Sequence, residues 1–128
     1  MLFIFSSINN LSNKIVSSEE ENSFMEELKE EDFRGSLLGT HTKALMGNND
    51  LLVLTKPEIV TEIHESYVES GCDILSTNTF SSTKIAQSDF NTEHLCKDLN
   101  FQGAQLARKV ADRFSSEKKP IFVAGSLG

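Results

Sequence analysis

The feature that most constrains the fold is a helix followed directly by a strand, between Gly47 and Phe80. Apolar residues recur there at the spacing of one helical face, and glutamates occupy mostly the other face; the apolar positions are Ile59, Val60, Ile63, Tyr67 and Val68. Gly71 provides a left-handed stop for this helix. The strand that follows, Asp73–Thr77, leads into polar residues that end at Phe80. This pattern predicts an α/β fold, in which ligands bind beyond the carboxyl ends of the strands.

The helix is predicted to begin at Thr55, because Thr55 and Glu58 have the spacing of a capping box. Pro57 lies in the first turn, where its missing N–H removes no helical hydrogen bond. Leu54 and Ile59 flank the predicted cap at positions that favour a hydrophobic staple. Together these signals place the start of the helix within one turn of Pro57.

Upstream of this unit the sequence is acidic and then rich in turn residues. The run Glu19–Phe33 predicts a short amphipathic helix that ends by Gly35. Its charges form either a solvated face or a surface for a partner protein. Ser36–Asn49 contains two glycines and is predicted to be a loop.

Downstream, the pattern predicts two helices and a second strand. A short helix is expected within Ser81–Ser88, with Ile85 and Ala86 making its apolar contacts. Apolar residues at helical spacing predict a longer helix over Glu93–Ser115. Ile121–Ala124 is continuously apolar, as strands of a parallel sheet buried on both faces are.

The composition excludes several classes of function. The chain has 12 basic and 19 acidic residues, and its net charge of -7 argues against binding to nucleic acid or to anionic membranes. The apolar run Leu2–Phe5 is too short for a signal-peptide core or a membrane span. Cys72 and Cys96 lie in different predicted elements, so the chain is not a disulfide scaffold and suits the reducing cytoplasm.

Several segments, in order and with plausible spacing, resemble the homocysteine-binding domain of cobalamin-dependent methionine synthase. They are Gly47–Ile59, Ser70–Ile74, Thr77–Phe80, Ile85–Gln87, Ala104 with Leu106–Arg108, and Phe122–Gly128. On this basis residues 30–128 are interpreted as the N-terminal part of that domain. Residues 1–29 are interpreted as an acidic, poorly ordered leader, with the alternative that Leu2–Phe5 forms a strand.

The resemblance implies a (β/α)8 TIM-type barrel, which typically requires about 250 residues. A chain of 128 residues holds only the opening βα units of such a barrel, so we expect an incomplete barrel or a smaller fold. In the family, the first strand ends in an Asp-Gly-Ala-Met-Gly-Thr turn that contacts the amino-acid part of the substrate. This turn does not occur in the sequence.

The resemblance also implies a reaction, methyl transfer to the sulfur of homocysteine in methionine synthesis. The family uses a zinc ion held by three cysteines, together with cobalamin and folate. Its cysteines lie in Gly-x-Asn-Cys and Gly-Gly-Cys-Cys elements that do not occur here. Cys72 and Cys96 are interpreted as small buried residues. We therefore assign no catalytic residue and no metal ligand, and we expect neither zinc nor cobalamin to bind this chain alone.

The residues assigned to substrate binding, again from the resemblance, are Asn78, Thr79 and Phe80 at the end of the first strand. Alternation along a strand places Asn78 on the face opposite Thr77 and Thr79. Many relatives have an acidic residue where this chain has Ser76. The alternative interpretation is that Asn78 and Thr79 satisfy backbone groups in a turn.

Two functions remain open at this stage. The first is the N-terminal part of a homocysteine S-methyltransferase domain, which is inactive until the remaining barrel segment or another chain completes it. The second is a catalytically inactive, truncated relative that acts as a binding module for a partner.

Overall fold

The computed structural model describes residues 27–128. The elements run in the order α1 (Glu30–Arg34), a 3-10 turn (Asn49–Leu51), α2 (Leu52–Thr55), α3 (Pro57–Glu69), β1 (Ile74–Ser76), α4 (Lys84–Ser88), a second 3-10 turn (Glu93–Leu95), α5 (Cys96–Phe114) and β2 (Phe122–Ala124). Most of the predicted leader 1–29 and most of the predicted helix Glu19–Phe33 lie outside the described residues. In the described part of that segment residues 27–29 are not helical, which corrects the prediction, and α1 ends at Arg34, before Gly35 as predicted.

The two strands form a parallel pair, with Ile74 beside Phe122 and Leu75 beside Val123. Both strands lie within one residue of their predicted positions, and the α/β class is confirmed. Because successive side chains alternate between the faces of a sheet, Leu75 and Val123 point to one side and Ile74 and Phe122 to the other. Leu75 is fully buried, whereas Phe122 is 58% exposed, so the helices cover only one face.

The helices form two apolar clusters on the covered face. The first joins β1 and β2 to α3 and α5 through Ile63, Tyr67, Val68, Cys72, Leu75, Val110, Ala111 and Ile121. The second lies under α1 and α2 and contains Phe33, Leu38, Leu45, Leu51, Leu52, Val53, Val60, Leu95 and Leu99. Helices α3 and α5 therefore pack against one face of the strand pair, and loops follow the carboxyl ends of both strands.

The predicted cap of the central helix at Thr55 is wrong, although the helix does begin within one turn of Pro57. Thr55 ends α2, and its hydroxyl donates to the Leu51 carbonyl at 3.3 Å instead of capping α3. Lys56 is the N-cap residue and Pro57 is the first residue of α3, as a missing N–H allows. The expected staple is also absent, since Leu54 packs against the second cluster and Ile59 against the first. Thr55 is the last residue of a short helix, so it does not occupy the N-cap position of α3.

The other helices follow the prediction with one correction. The stretch predicted as one helix, Glu93–Ser115, is a 3-10 turn followed by α5. Gly71 ends α3 as predicted, with a φ of 100° that glycine adopts without strain. The short helix α4 is where predicted, but Ile85 is 86% exposed and makes no core contact. Gln87 is the buried residue of α4, because a polar network holds that helix.

The segment between α1 and the first 3-10 turn is a loop, as predicted, and it is held by α1. The Glu30 carboxylate accepts the backbone N–H groups of Leu45 and Met46, at 2.8 and 2.7 Å. Arg34 donates to the carbonyl groups of His41 and Lys43. One short helix therefore fixes the loop that leads into Asn48.

Candidate functional site

The carboxyl ends of β1 and β2 lie side by side, because the strands are parallel and in register. The last ladder contact is the Thr77 N–H, which donates to the Ala124 carbonyl at 2.9 Å. Residues 77–83 leave β1 and residues 125–128 leave β2 at this edge. In sheets of this kind the crevice beyond the strand ends is where ligands bind.

Two threonines and a serine join the two strand ends. The Ser126 N–H donates to Thr77 Oγ1 at 2.9 Å, and Thr79 Oγ1 donates to the Ser126 carbonyl at 2.8 Å. The two threonine oxygens lie 2.7 Å apart. Each hydroxyl carries a single proton, and that of Thr79 is already donated to Ser126, so Thr77 is the donor in this bond. This closed ring places both threonines on one side, as predicted from strand alternation.

Asn78 points away from that ring. Its Nδ2 donates to the Asn49 carbonyl at 3.0 Å, which sets the direction of the amide. The residue is 2% exposed, and its Oδ1 receives no hydrogen bond from any residue in the range 27–128. A buried carbonyl oxygen without a donor is uncommon in folded proteins. Asn78 Oδ1 is therefore an oriented, buried acceptor that no donor in residues 27–128 satisfies.

Of the three residues assigned to substrate binding, the structure brings Asn78 and Thr79 into the buried layer and leaves the Phe80 side chain partly exposed. The Thr79 hydroxyl is engaged by Ser126, as in the interpretation that it satisfies backbone groups, although its partner lies on the other strand end. The Phe80 carbonyl lies close to Gly128, where a Cβ would collide with it. Substrate binding by these three residues remains a prediction.

Gly103 of α5 packs directly behind the threonine ring. A Cβ at this position would lie 2.5 Å from Thr79 Cγ2, and the Thr79 hydroxyl is already held. We expect Gly103→Ala to lower the free energy of unfolding by about 1 kcal/mol. The steric overlap costs about 1–3 kcal/mol, and this cost outweighs the gain of about 1 kcal/mol from the higher helix propensity of alanine. Urea unfolding measures this change. Gly125→Ala is the control because nothing lies within 4 Å of its Cβ, and equal losses in both variants would contradict the prediction.

Residues that the sequence did not single out lie around this edge. Asn48 and Gln87 exchange two hydrogen bonds, of 2.8 and 3.0 Å, and Thr92 Oγ1 donates to Gln87 Oε1 at 2.7 Å. Asp50 accepts a hydrogen bond from Ser82 Oγ at 2.8 Å. The Asp50–Ser82 and Asn48–Gln87 pairs lie 32 and 39 residues apart in the chain, and no local pattern signals them.

Burial perturbs the titrating groups near the site. Burial raises the pKa of Asp50, against smaller opposing effects of the Ser82 hydroxyl and the Ser81 backbone amide. Burial likewise raises the pKa of the Cys96 thiol, which disfavours the nucleophilic thiolate. Cys72 lies in the first apolar cluster. Neither cysteine is placed as an activated nucleophile.

The described residues do not form a metal site. No group of three His, Cys, Asp or Glu side chains in residues 27–128 converges closely enough to hold an ion. His41 Nε2 lies 2.8 Å from the Phe90 carbonyl, His64 is buried in α3, and His94 is exposed. The donor set of this part of the chain therefore does not fit the zinc ion that the family uses.

Two open grooves lie on the surface of the described residues. One, of about 430 Å³, runs along α5 between Phe101, Arg108 and Val123. The other, of about 480 Å³, lies between Leu37, Pro57 and Leu106.

None of the helices within residues 27–128 has both the length and the hydropathy needed to cross a membrane.

The family model described as homocysteine S-methyltransferase matches residues 18–128, which is most of the chain. The match starts further towards the N-terminus than the segments that carry the resemblance. It covers every described element, including both strand ends and the polar residues that follow them. The chain belongs to the homocysteine S-methyltransferase family.

Proposed function

We propose that this chain supplies the opening βα units of a homocysteine S-methyltransferase domain of the methionine synthase type, and that it binds homocysteine beyond β1. The observation that carries the proposal is Asn78. Its amide is buried and oriented by the Asn49 carbonyl, and its Oδ1 has no donor among the described residues. An amino-acid ammonium group supplies the N–H donors that such an acceptor requires.

In this proposal the described residues bind and orient the substrate, and the threonine ring keeps the two strand ends together. Methyl transfer to sulfur requires a thiolate, because the thiol itself is a poor nucleophile. We assign no part of thiolate formation to residues 27–128, since their donor set does not fit zinc. Zinc and cobalamin are proposed to belong to other parts of a completed domain, located in the cytoplasm.

A remaining barrel segment or another chain is the proposed partner. The described sheet has two strands, and one of its faces carries the exposed Phe122. A closed barrel of this type has eight strands with both faces covered. The same exposed face is compatible with the second candidate function, a binding module without catalysis, and the experiment below separates the two.

We expect the chain, co-expressed with the C-terminal barrel segment of a relative, to bind L-homocysteine in a zinc-dependent manner. Asn78→Ala should weaken this binding by roughly tenfold to a hundredfold, as loss of a hydrogen bond to a charged group does. Isothermal titration calorimetry measures the affinity, and Gln105→Ala is the control because it removes an exposed amide from α5. A stable complex that binds no homocysteine would favour the partner module instead.

A further inference from the structure

Three consecutive residues, Asn48, Asn49 and Asp50, each hold a different point of the segment that follows β1. Asn48 pairs with Gln87 through two hydrogen bonds, and the Asn49 carbonyl accepts from Asn78 Nδ2 at 3.0 Å. Asp50 accepts from Ser82 Oγ at 2.8 Å. We call residues 48–50 the brace. The brace therefore contacts the beginning, the middle and the end of residues 78–87.

Two of the three brace residues, Asn48 and Asp50, are buried polar groups, and their polar contacts are with residues that follow β1. Asp50 is 3% exposed, and it forms no salt bridge within residues 27–128. A buried carboxylate without a cation costs free energy, and burial accordingly raises the pKa of Asp50. Asn48 and Gln87 are also buried, and their mutual hydrogen bonds satisfy both amides. Apolar residues would stabilise the fold with less desolvation, so the arrangement favours orientation over stability.

We propose that the brace is a positioning device, in which Asp50 holds the peptide group of Asn49 so that its carbonyl fixes the direction of Asn78 Oδ1. Asn49 lies between two anchored neighbours, Asn48 and Asp50, and its carbonyl is the hydrogen-bond acceptor that orients the Asn78 amide. Releasing Asp50 from Ser82 frees one side of that peptide. The inference rests on the proposed function for the link from Asn78 to homocysteine, but the orientation of Asn78 is testable without a ligand.

The test uses the full 128-residue chain labelled with ¹⁵N, and it compares Asp50→Ala with wild type. We expect the side-chain amide protons of Asn78 to exchange with water at least about tenfold faster in Asp50→Ala, because a hydrogen bond contributes a factor of about ten. Asp50→Asn retains an oxygen acceptor for Ser82 and should restore most of the protection. Asp89→Ala removes an exposed carboxylate from the same region and should change nothing. If Asp50→Ala does not fold, Ser82→Ala is used instead. It removes the hydroxyl donor to Asp50 but keeps the Ser81 backbone amide, so a smaller increase in exchange is expected.

Thermal unfolding and titration with L-homocysteine separate the alternatives. Faster exchange at Asn78 with an unchanged melting temperature supports the positioning role, whereas a purely structural role would lower the melting temperature and expose α5 amides equally. Unchanged exchange at Asn78 in both Asp50→Ala and Ser82→Ala would overturn the inference. The homocysteine titration uses the complex with the C-terminal barrel segment. If this complex shows the expected exchange pattern but binds no homocysteine, the brace stands and the proposed function fails. If homocysteine binds wild type and Asp50→Ala with equal affinity, the function stands and the brace does not act on it.

Discussion

Acidification from pH 6.5 to pH 4 is expected to lower the free energy of unfolding by up to about 3 kcal/mol through His64. His64 is 1% exposed in α3, and burial lowers its pKa from 6.5 to about 4. In this pH range the unfolded chain binds a proton at His64 and the folded chain does not. Stability is therefore complete above pH 6.5 and falls as the pH approaches 4.

Urea unfolding at a series of pH values tests this prediction. His64→Gln keeps a polar side chain but does not titrate, so its unfolding free energy should depend less on pH between 6.5 and 4. His94→Gln is the matched control because His94 is exposed. Asp50 acts in the opposite direction, since its raised pKa makes protonation favour the folded state. The variants are therefore compared with wild type at each pH, and parallel curves for His64→Gln and wild type would contradict the prediction.

The purified 128-residue chain is expected to self-associate, and Phe122→Lys is expected to weaken that association by roughly tenfold to a hundredfold. Phe122 and Ile74 are neighbours on the sheet face that no described helix covers. Exposed apolar strands favour pairing with other chains. A lysine at position 122 removes apolar surface and adds a charge that opposes such pairing.

Sedimentation velocity over a range of concentrations measures the association. Ile85→Lys is the control, because Ile85 is also exposed but lies on α4, away from the open face. It should leave the distribution of species close to that of wild type. A monomeric wild-type chain with a sharp, reversible melt would show that residues 27–128 are a complete small domain and not part of a barrel.

The long elements could be predicted from the sequence because their signals are local. The spacing of Val60, Ile63 and Tyr67 depends only on helical geometry, and it correctly predicted that these residues are buried in α3, although it did not predict the burial of His64. The start of α3 was misplaced at Thr55, since α2 and α3 follow each other with only Lys56 between them. The first residue of a capping box is the N-cap, which lies just outside the helix. The sequence does not show that Thr55 is instead the last residue of another helix, α2.

The sequence by itself determined the α/β order, the two strands and the family, because these follow from periodicity and from short motifs. Only the tertiary structure decided which polar groups meet at the strand ends. Asp50 and Ser82 lie 32 residues apart, and Thr79 and Ser126 lie 47 residues apart. Their pairing depends on the register of β1 with β2 and on the packing of α5 behind them. No local sequence pattern encodes the strand register or the packing of α5, so the contacts of Asn78 could be found only in the folded chain.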